Sequence, residues 1–239
     1  MVKSYAKTTT KKGISKPSGS TKAKSGDYQK GRELPVQPKA ELKASDLALT
    51  ASVFKPTGGP PTFQYLNNVT NGAEIYQRTG RKIYMKSLHV KGFIEGSGTA
   101  SANMAILRMV LVYDAQPNGA FPAIADLFQD STAGGATGFM SELNLNNRER
   151  FKILREKMWV MGPTAANQAG QTVINDGSQC LVINEFIKLK KIEAIFNATN
   201  GGTVADVTSG SLFAVFMSDA NSTSSAWNAV YTARLRYYD

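Results

Sequence analysis

The residues best placed to do chemistry in this 239-residue chain are seven lysines near its start: Lys3, Lys7, Lys11, Lys12, Lys16, Lys22 and Lys24, with no acid before Asp27. Ammonium groups at this density repel one another until an anion neutralises them, and the phosphates of a nucleic acid supply a matching run of charge. Residues 1–43 hold eleven bases and three acids, whereas 44–239 hold 17 bases and 15 acids, so most of the formal net charge of +10 sits in this arm. Lysine is a point charge without a base-reading fork, so the arm is expected to bind without sequence preference. Its Ser, Thr, Gly and Pro content leaves too little apolar surface to offset ordering entropy, and disorder is expected over 1–43 in isolation. A solubilising tail, or a nuclear address around Lys11 and Lys12, are the other readings of the same residues.

No catalytic set emerges beside the arm. Ser52 and Lys55 have the Ser-x-x-Lys spacing of serine acylases, but the Ser-Asp-Asn and Lys-Thr-Gly elements that complete such sites do not occur. The single histidine, His89, lies in a predicted strand with no nucleophile or acid in a recognisable pattern around it. The single cysteine, Cys180, excludes an internal disulfide framework and a cysteine zinc cage. Asp114, Asp126 and Asp130 lack the alternation of a calcium loop and read as loop carboxylates. The glycines at 96, 98, 134 and 135 lack phosphate-loop spacing and read as turns. Asn68-Val69-Thr70, Asn197-Ala198-Thr199 and Asn221-Ser222-Thr223 match the glycosylation acceptor pattern without a visible secretory route. The expectation is therefore no enzyme, no cofactor and no bound metal.

The elements that must carry any body site are strands. Apolar runs rich in Val, Ile, Phe, Tyr and Thr, punctuated by Gly, Asn, Pro and Ser, predict strands at 62–69, 83–95, 104–113, 151–161, 181–189, 192–197, 211–218 and 229–238. The last alternates most clearly: Ala229, Tyr231, Ala233, Leu235 and Tyr237 share one face, and Val230, Thr232, Arg234, Arg236 and Tyr238 the other. Residues 122–128 fit a short helix within the long connection 116–147. The expected architecture is all-β: a single eight-stranded jelly roll of two packed antiparallel sheets over 44–239, preceded by a disordered basic arm over 1–43. Apolar stretches all fall short of about 18 residues, so no membrane insertion is expected. An intracellular protein is expected from the lysines that start the chain with no apolar core behind them.

Basic residues also cluster in the body. They lie at Arg78, Arg81, Lys82, Lys86 and Lys91; at Arg148, Arg150, Lys152, Arg155 and Lys157; at Lys188, Lys190 and Lys191; and at Arg234 and Arg236 beside Tyr238. Cations on one face with aromatics between them suit single-stranded nucleic acid. Arg81, Lys82, Lys86, Arg234 and Arg236 are the candidate binding residues of the body.

Several segments resemble a known family in order and spacing. Residues 79–94 resemble the second-strand region of geminivirus-type capsid proteins. Residues 109–119 are similar to the strand and Asp-x-x-Pro-x-Gly turn that follow in that family, and 146–155 to its Asn-x-x-x-Arg-Tyr/Phe block. Residues 233–239 match its closing strand, so the resemblance covers roughly 62–239 with the basic tail in the expected place. The arm is shorter and lysine-rich rather than arginine-rich, and the family's cysteine and histidine pattern is not reproduced. The resemblance implies a capsid protein of a small circular single-stranded DNA virus: a jelly roll in an icosahedral shell of sixty subunits, with the arm inside on the genome. It further implies location in the virion and, during assembly, the host nucleus, reached through nuclear import factors. A nucleic-acid-binding shuttle or movement protein, and the coat of a small single-stranded RNA virus or satellite, remain open alternatives because lysines do not distinguish DNA from RNA. A carbohydrate-binding β sandwich is the reading furthest from these; it predicts indifference to removal of 1–43.

Overall fold

The computed structural model describes residues 41–56, 62–96, 105–129, 138–161, 181–219 and 227–239. The chain separates into two units, Met1–Lys39 and Ala40–Asp239, and only the second is described below. The seven early lysines, Asp130, Cys180 and the loop 131–137 lie outside the described residues.

The body is built from β1 (Leu42–Val53), β2 (Lys55–Pro56), β3 (Thr62–Tyr65), β4 (Lys82–Gly96), β5 (Ala105–Asp114), β6 (Phe151–Met161), β7 (Leu181–Phe196), β8 (Val207–Ser209), β9 (Ser211–Ser218) and β10 (Trp227–Tyr238). A short helix, α1 (Ile124–Leu127), falls inside the predicted 122–128. One sheet runs β1-β10-β4-β7-β8; the other runs β2-β9-β5-β6, with β3 also paired to β9. Every pairing is antiparallel except the two-residue contact of β2 with β9. The principal strands thus stand four to a sheet, β1-β10-β4-β7 against β3-β9-β5-β6, which is the jelly-roll arrangement.

The period of two explains the main core. In β10, Trp227, Ala229, Tyr231, Ala233, Leu235 and Tyr237 are buried while the alternate residues reach solvent. They meet Leu88, Val90 and Ile94 of β4, Ile183 and Ile187 of β7, and Leu107, Met109, Leu111 and Phe216 from the opposite sheet. Burying each large apolar side chain contributes about 1.5–3 kcal/mol. Gly92 sits where β4 passes β10: a Cβ there would lie 2.1 Å from the Val230 carbonyl oxygen, so only glycine lets these strands approach.

Alternation breaks down in β5 and β9, which are buried on both faces, save half-buried Ile106 and Tyr113. Their outer residues Val110, Val112, Phe213, Val215 and Met217 form a second core with Leu127, Phe128, Phe139 and Phe151. The connection around α1 therefore folds back over the β2-β9-β5-β6 sheet. Arg108 pins it there, donating Nη1 to the carbonyls of Phe139 (2.7 Å) and Ser141 (2.9 Å) and Nε to Glu156 (2.7 Å).

Three strand expectations need correction. The strand β1 was not among the predicted eight, because LKASDLALTASV has little apolar alternation and a bulge between Leu47 and Thr50; it is held by its ladder to β10. The predicted strands 181–189 and 192–197 are one strand, β7, which continues through Lys190 and Lys191 by placing both in the left-handed region, at φ 49 and 63. The predicted strand at 62–69 shortens to Thr62–Tyr65.

The ends of β1 and β10 are tied by a nearly buried pair, Lys43 and Asp239, at 3.1 Å. Burial alone would raise the Asp239 pKa, but the N–H groups of Thr79 and Gly80 and the Lys43 ammonium donate to it and hold it below its ordinary value. A carboxylate depressed in the folded state contributes stability that is fully present above the ordinary Asp range and is lost as pH falls through the depressed value. Asp239→Asn is expected to cost about 1.5–3 kcal/mol at neutral pH. In urea titrations the gap to the parent should close in acid; a gap constant with pH would assign the effect to packing instead.

Candidate nucleic-acid surface

The outward face of the β1-β10-β4-β7 sheet collects the body candidates. Lys82 and Lys86 project from β4, and Arg234 and Arg236 from the adjacent β10, all on the solvent side. Arg81, just before β4, donates Nε to the Phe196 carbonyl (3.1 Å). Across this face Tyr238 pairs with Tyr84, Arg236 with Ser87, and Arg234 with His89; on the other side of β4, Ser87 pairs with Lys188 and His89 with Phe186. Exposed Tyr84 and Phe186 therefore stand among the cations, as stacking onto single strands requires.

The candidates are not electrostatically alike. Arg234 is held by Asp46 through two charge-assisted bonds of 2.7 and 2.6 Å. The hydrogen bond to Asp46 raises the Arg234 pKa, and the same bond lowers that of Asp46. Lys82 is bound to Glu193 at 2.8 Å, a hydrogen bond that raises the lysine pKa, and lies over the Tyr84 ring at 5.4 Å. Lys86 and Arg236 have no carboxylate partner among the described residues; Lys86 lies 5.4 Å from the Tyr238 ring centre. Lys188, Lys190 and Lys191 of β7 join the same face, exposed and without carboxylate partners among the described residues. Their clustering was visible in the sequence, but not their neighbours on β4 and β10.

Other basic clusters serve the fold. Arg78 is 1% exposed, donates to the carbonyls of Val69, Gly80, Thr199 and Gly201, and stacks on Phe196 at 4.4 Å. Arg150 grips buried Asp114 with two bonds of 2.9 Å. Arg155 and Lys157 of β6 both reach Glu185 of β7 at 3.1 Å, bridging the two sheets along one edge. The cluster at 148–157 is therefore largely neutralised.

The remaining chemical candidates do not assemble. Ser52 is buried, with its hydroxyl 3.2 Å from the Tyr231 hydroxyl, while Lys55 belongs to the other sheet. His89 bonds Asn184 (2.8 Å), meets the edge of Phe186 and lines a hollow of about 390 Å³ with Asp46, Lys91, Thr232 and Arg234. Asp114 is engaged by Arg150, and the Asp126 carboxylate accepts from the Ala123 N–H at the start of α1. Among the described residues no group of acids, histidines and cysteines is arranged to hold a metal ion. No described helix is long and apolar enough to cross a membrane.

Past the basic end the same face becomes apolar. Ala51, Val230, Phe93 and Val182 stand in one cross-strand row, with Val182 73% exposed. On the opposite sheet the segment around α1 covers the outer residues of β5 and β9, and Met158 and Val160 of β6 remain exposed.

Comparison with known proteins adds four findings. A family model described as the geminivirus coat protein/nuclear export factor BR1 family matches residues 2–239. The coat protein of Maize white line mosaic Satellite virus is 30% identical over 127 residues, which is 53% of this chain and 55% of that protein. The chain thus spans about half the length of the curated relative it matches. A solved chain of Desmodium yellow mottle tymovirus is similar at a TM-score of 0.32 and 12% identity, over 86% of this chain and 91% of that one. One of Turnip Yellow Mosaic Virus is similar at 0.30 and 14% identity, over 84% and 95%.

Proposed function

The chain belongs to the geminivirus coat protein/nuclear export factor BR1 family, and from that membership we propose that it is a viral coat protein that packages single-stranded DNA in a closed icosahedral shell of sixty copies. The single observation that carries the nucleic-acid half is the outward sheet face, where Lys86 and Arg236 stand unpaired beside Tyr84 and Tyr238 among the described residues. Arg81 and Lys82 border it, and the lysines from Lys3 to Lys24 neutralise most of the phosphate. A body with 17 bases against 15 acids limits repulsion between neighbouring copies. The protein resides in the virion and passes through the host nucleus with the help of import factors. It performs no catalysis.

Purified protein should form closed particles of uniform size in negative-stain microscopy, with a raised 260/280 nm absorbance ratio and contents digested by DNase after disruption. Contents digested only by RNase would transfer the reading to an RNA virus or satellite coat. Small oligomers that bind DNA without closing would favour the second reading, a nuclear shuttle, in keeping with the nuclear export factor that the family's description includes.

The pairing pattern separates two neighbouring arginines. Arg236→Ala should reduce the salt dependence of oligonucleotide binding by about one phosphate contact, or roughly 0.7 in log–log slope. Arg234→Ala should leave the slope nearly unchanged, since Asp46 already engages that guanidinium. Equal effects in a fluorescence-anisotropy salt series would contradict the distinction.

A further inference from the structure

We infer that the corner where β4, β7 and β10 meet is a phosphodiester clamp formed by Lys86, Lys190, Lys191 and Tyr238, with Lys188 and Arg236 beside it. The inference rests on the nucleic-acid reading above and assigns the place on the body where the backbone of the strand is held.

The first observation is backbone strain. Lys190 and Lys191 are the described non-glycine residues with left-handed φ, 49 and 63, one after the other inside a strand. This region crowds the Cβ of any L-residue, and neither position carries the glycine or asparagine that tolerates it. The second observation is what the strain achieves. Met85 pairs with Ile192 and Ser87 with Lys188, so Leu189, Lys190 and Lys191 are accommodated opposite Lys86 alone. On the other side of β4, Ser87 pairs with Arg236 and Met85 with Tyr237, which makes Lys86 an extra residue there too. Both irregularities fall at the same residue and leave two ammonium groups on one aromatic ring: Lys86 at 5.4 Å and Lys191 at 5.5 Å from the centre of Tyr238.

The third observation is charge. Lys86, Lys188, Lys190, Lys191 and Arg236 are all exposed and have no carboxylate partner among the described residues, and nearby Glu193 is engaged by Lys82. Elsewhere on the same sheet a cation is matched, as Arg234 is by Asp46. Strained backbone that gathers like charges without a counter-charge is costly on its own, and an anion bound there relieves the repulsion. The arrangement also fits a polyanion better than a single ion. Lys188 and Arg236 flank Ser87 from the two sides of β4, about 10 Å apart at Cα by two strand spacings. Successive phosphates of one strand can occupy both rows.

The test uses the full chain, an oligodeoxythymidine and anisotropy titrations across chloride concentrations. Lys86→Gln with Lys191→Gln should lower the log–log salt slope by about 1.4, two single-strand contacts, while Lys152→Gln on the exposed side of β6 should not change it. A parent that binds with a steep slope, alongside a double variant with the same slope, would overturn the clamp and leave the nucleic-acid reading standing. A parent that does not bind at all would overturn both. Inorganic phosphate titrated at constant ionic strength should not displace the oligonucleotide; saturable displacement would reassign the corner to free phosphate. Lys190→Gly provides a readout independent of binding. Glycine accepts φ 49 without the Cβ clash, so the thermal midpoint should rise as the slope falls. A lower midpoint would remove the strain on which the inference depends and overturn it.

Discussion

Removal of residues 1–40 is expected to leave the two sheets folded and to reduce the salt slope of single-stranded DNA binding by about five, from seven lysine–phosphate contacts at about 0.7 each. For the parent, those contacts alone correspond to a loss of affinity on the order of a thousandfold between 50 and 200 mM salt. The truncated chain should keep only the shallow dependence of the sheet face. The cut belongs after residue 40 because β1 begins at Leu42 and Lys43 is buried against Asp239. Truncation through 43 would remove a structural pair along with the arm and confuse unfolding with lost binding. Emission from Trp159 and Trp227, which touch the main core, reports whether the body survives. A truncated chain with an intact spectrum and an unchanged slope would place binding on the body and remove the arm from the proposal.

The strand pattern was legible wherever one face of a strand meets water. In β10 the sequence alternation and the observed burial agree residue by residue. It was least legible where tertiary contacts supply what the local sequence lacks. The strand β1 is polar and bulged, and only its partner β10 makes it a strand. Lys190 and Lys191 look like a junction because two adjacent lysines interrupt an apolar run. The ladder of β4 continues on both sides of them, and the backbone absorbs the extra length by turning left-handed. The missed strand and the divided strand offset each other, so the expected number of principal strands was right for partly wrong reasons.

The site was legible in residue type and not in partnership. Sequence counting treats Arg78, Arg150, Arg155, Arg234 and Arg236 as equivalent charges. The fold gives the first to four backbone carbonyls and the next three to Asp114, Glu185 and Asp46 in chain order of Arg150, Arg155 and Arg234, and leaves Arg236 with neither a carboxylate nor such a set of carbonyls among the described residues. No local pattern encodes this, because every one of those acids is at least thirty residues distant in sequence except by way of the sheet pairing, as the Arg234–Asp46 separation of 188 illustrates. Exposed cations that lack such a match are the ones a phosphate can recruit.

Arg108→Ala is expected to be among the most damaging single substitutions, at about 3–5 kcal/mol, although a surface-charge count would class this arginine with the binding residues. The residue is 1% exposed on β5, and its side chain lies 4.7 Å from the centre of the Phe128 ring and satisfies the carbonyls of Phe139 and Ser141 as well as Glu156. Alanine would leave two carbonyls and a carboxylate without their donor and open a void in the second core. The segment around α1 should then detach from the β2-β9-β5-β6 sheet before the sheets themselves separate, because its remaining attachments in the second core are apolar contacts, among them those of Leu127, Phe128, Phe139 and Phe121. Hydrogen exchange should register this as early loss of protection at Phe128 and Asn144, whose N–H groups bond Ile124 and Leu127, while β10 remains protected. Arg108→Lys should rescue little, since an ammonium cannot hold two carbonyls and a carboxylate in one plane. Full rescue by lysine would show that the charge alone, rather than the planar fork, holds the layer in place.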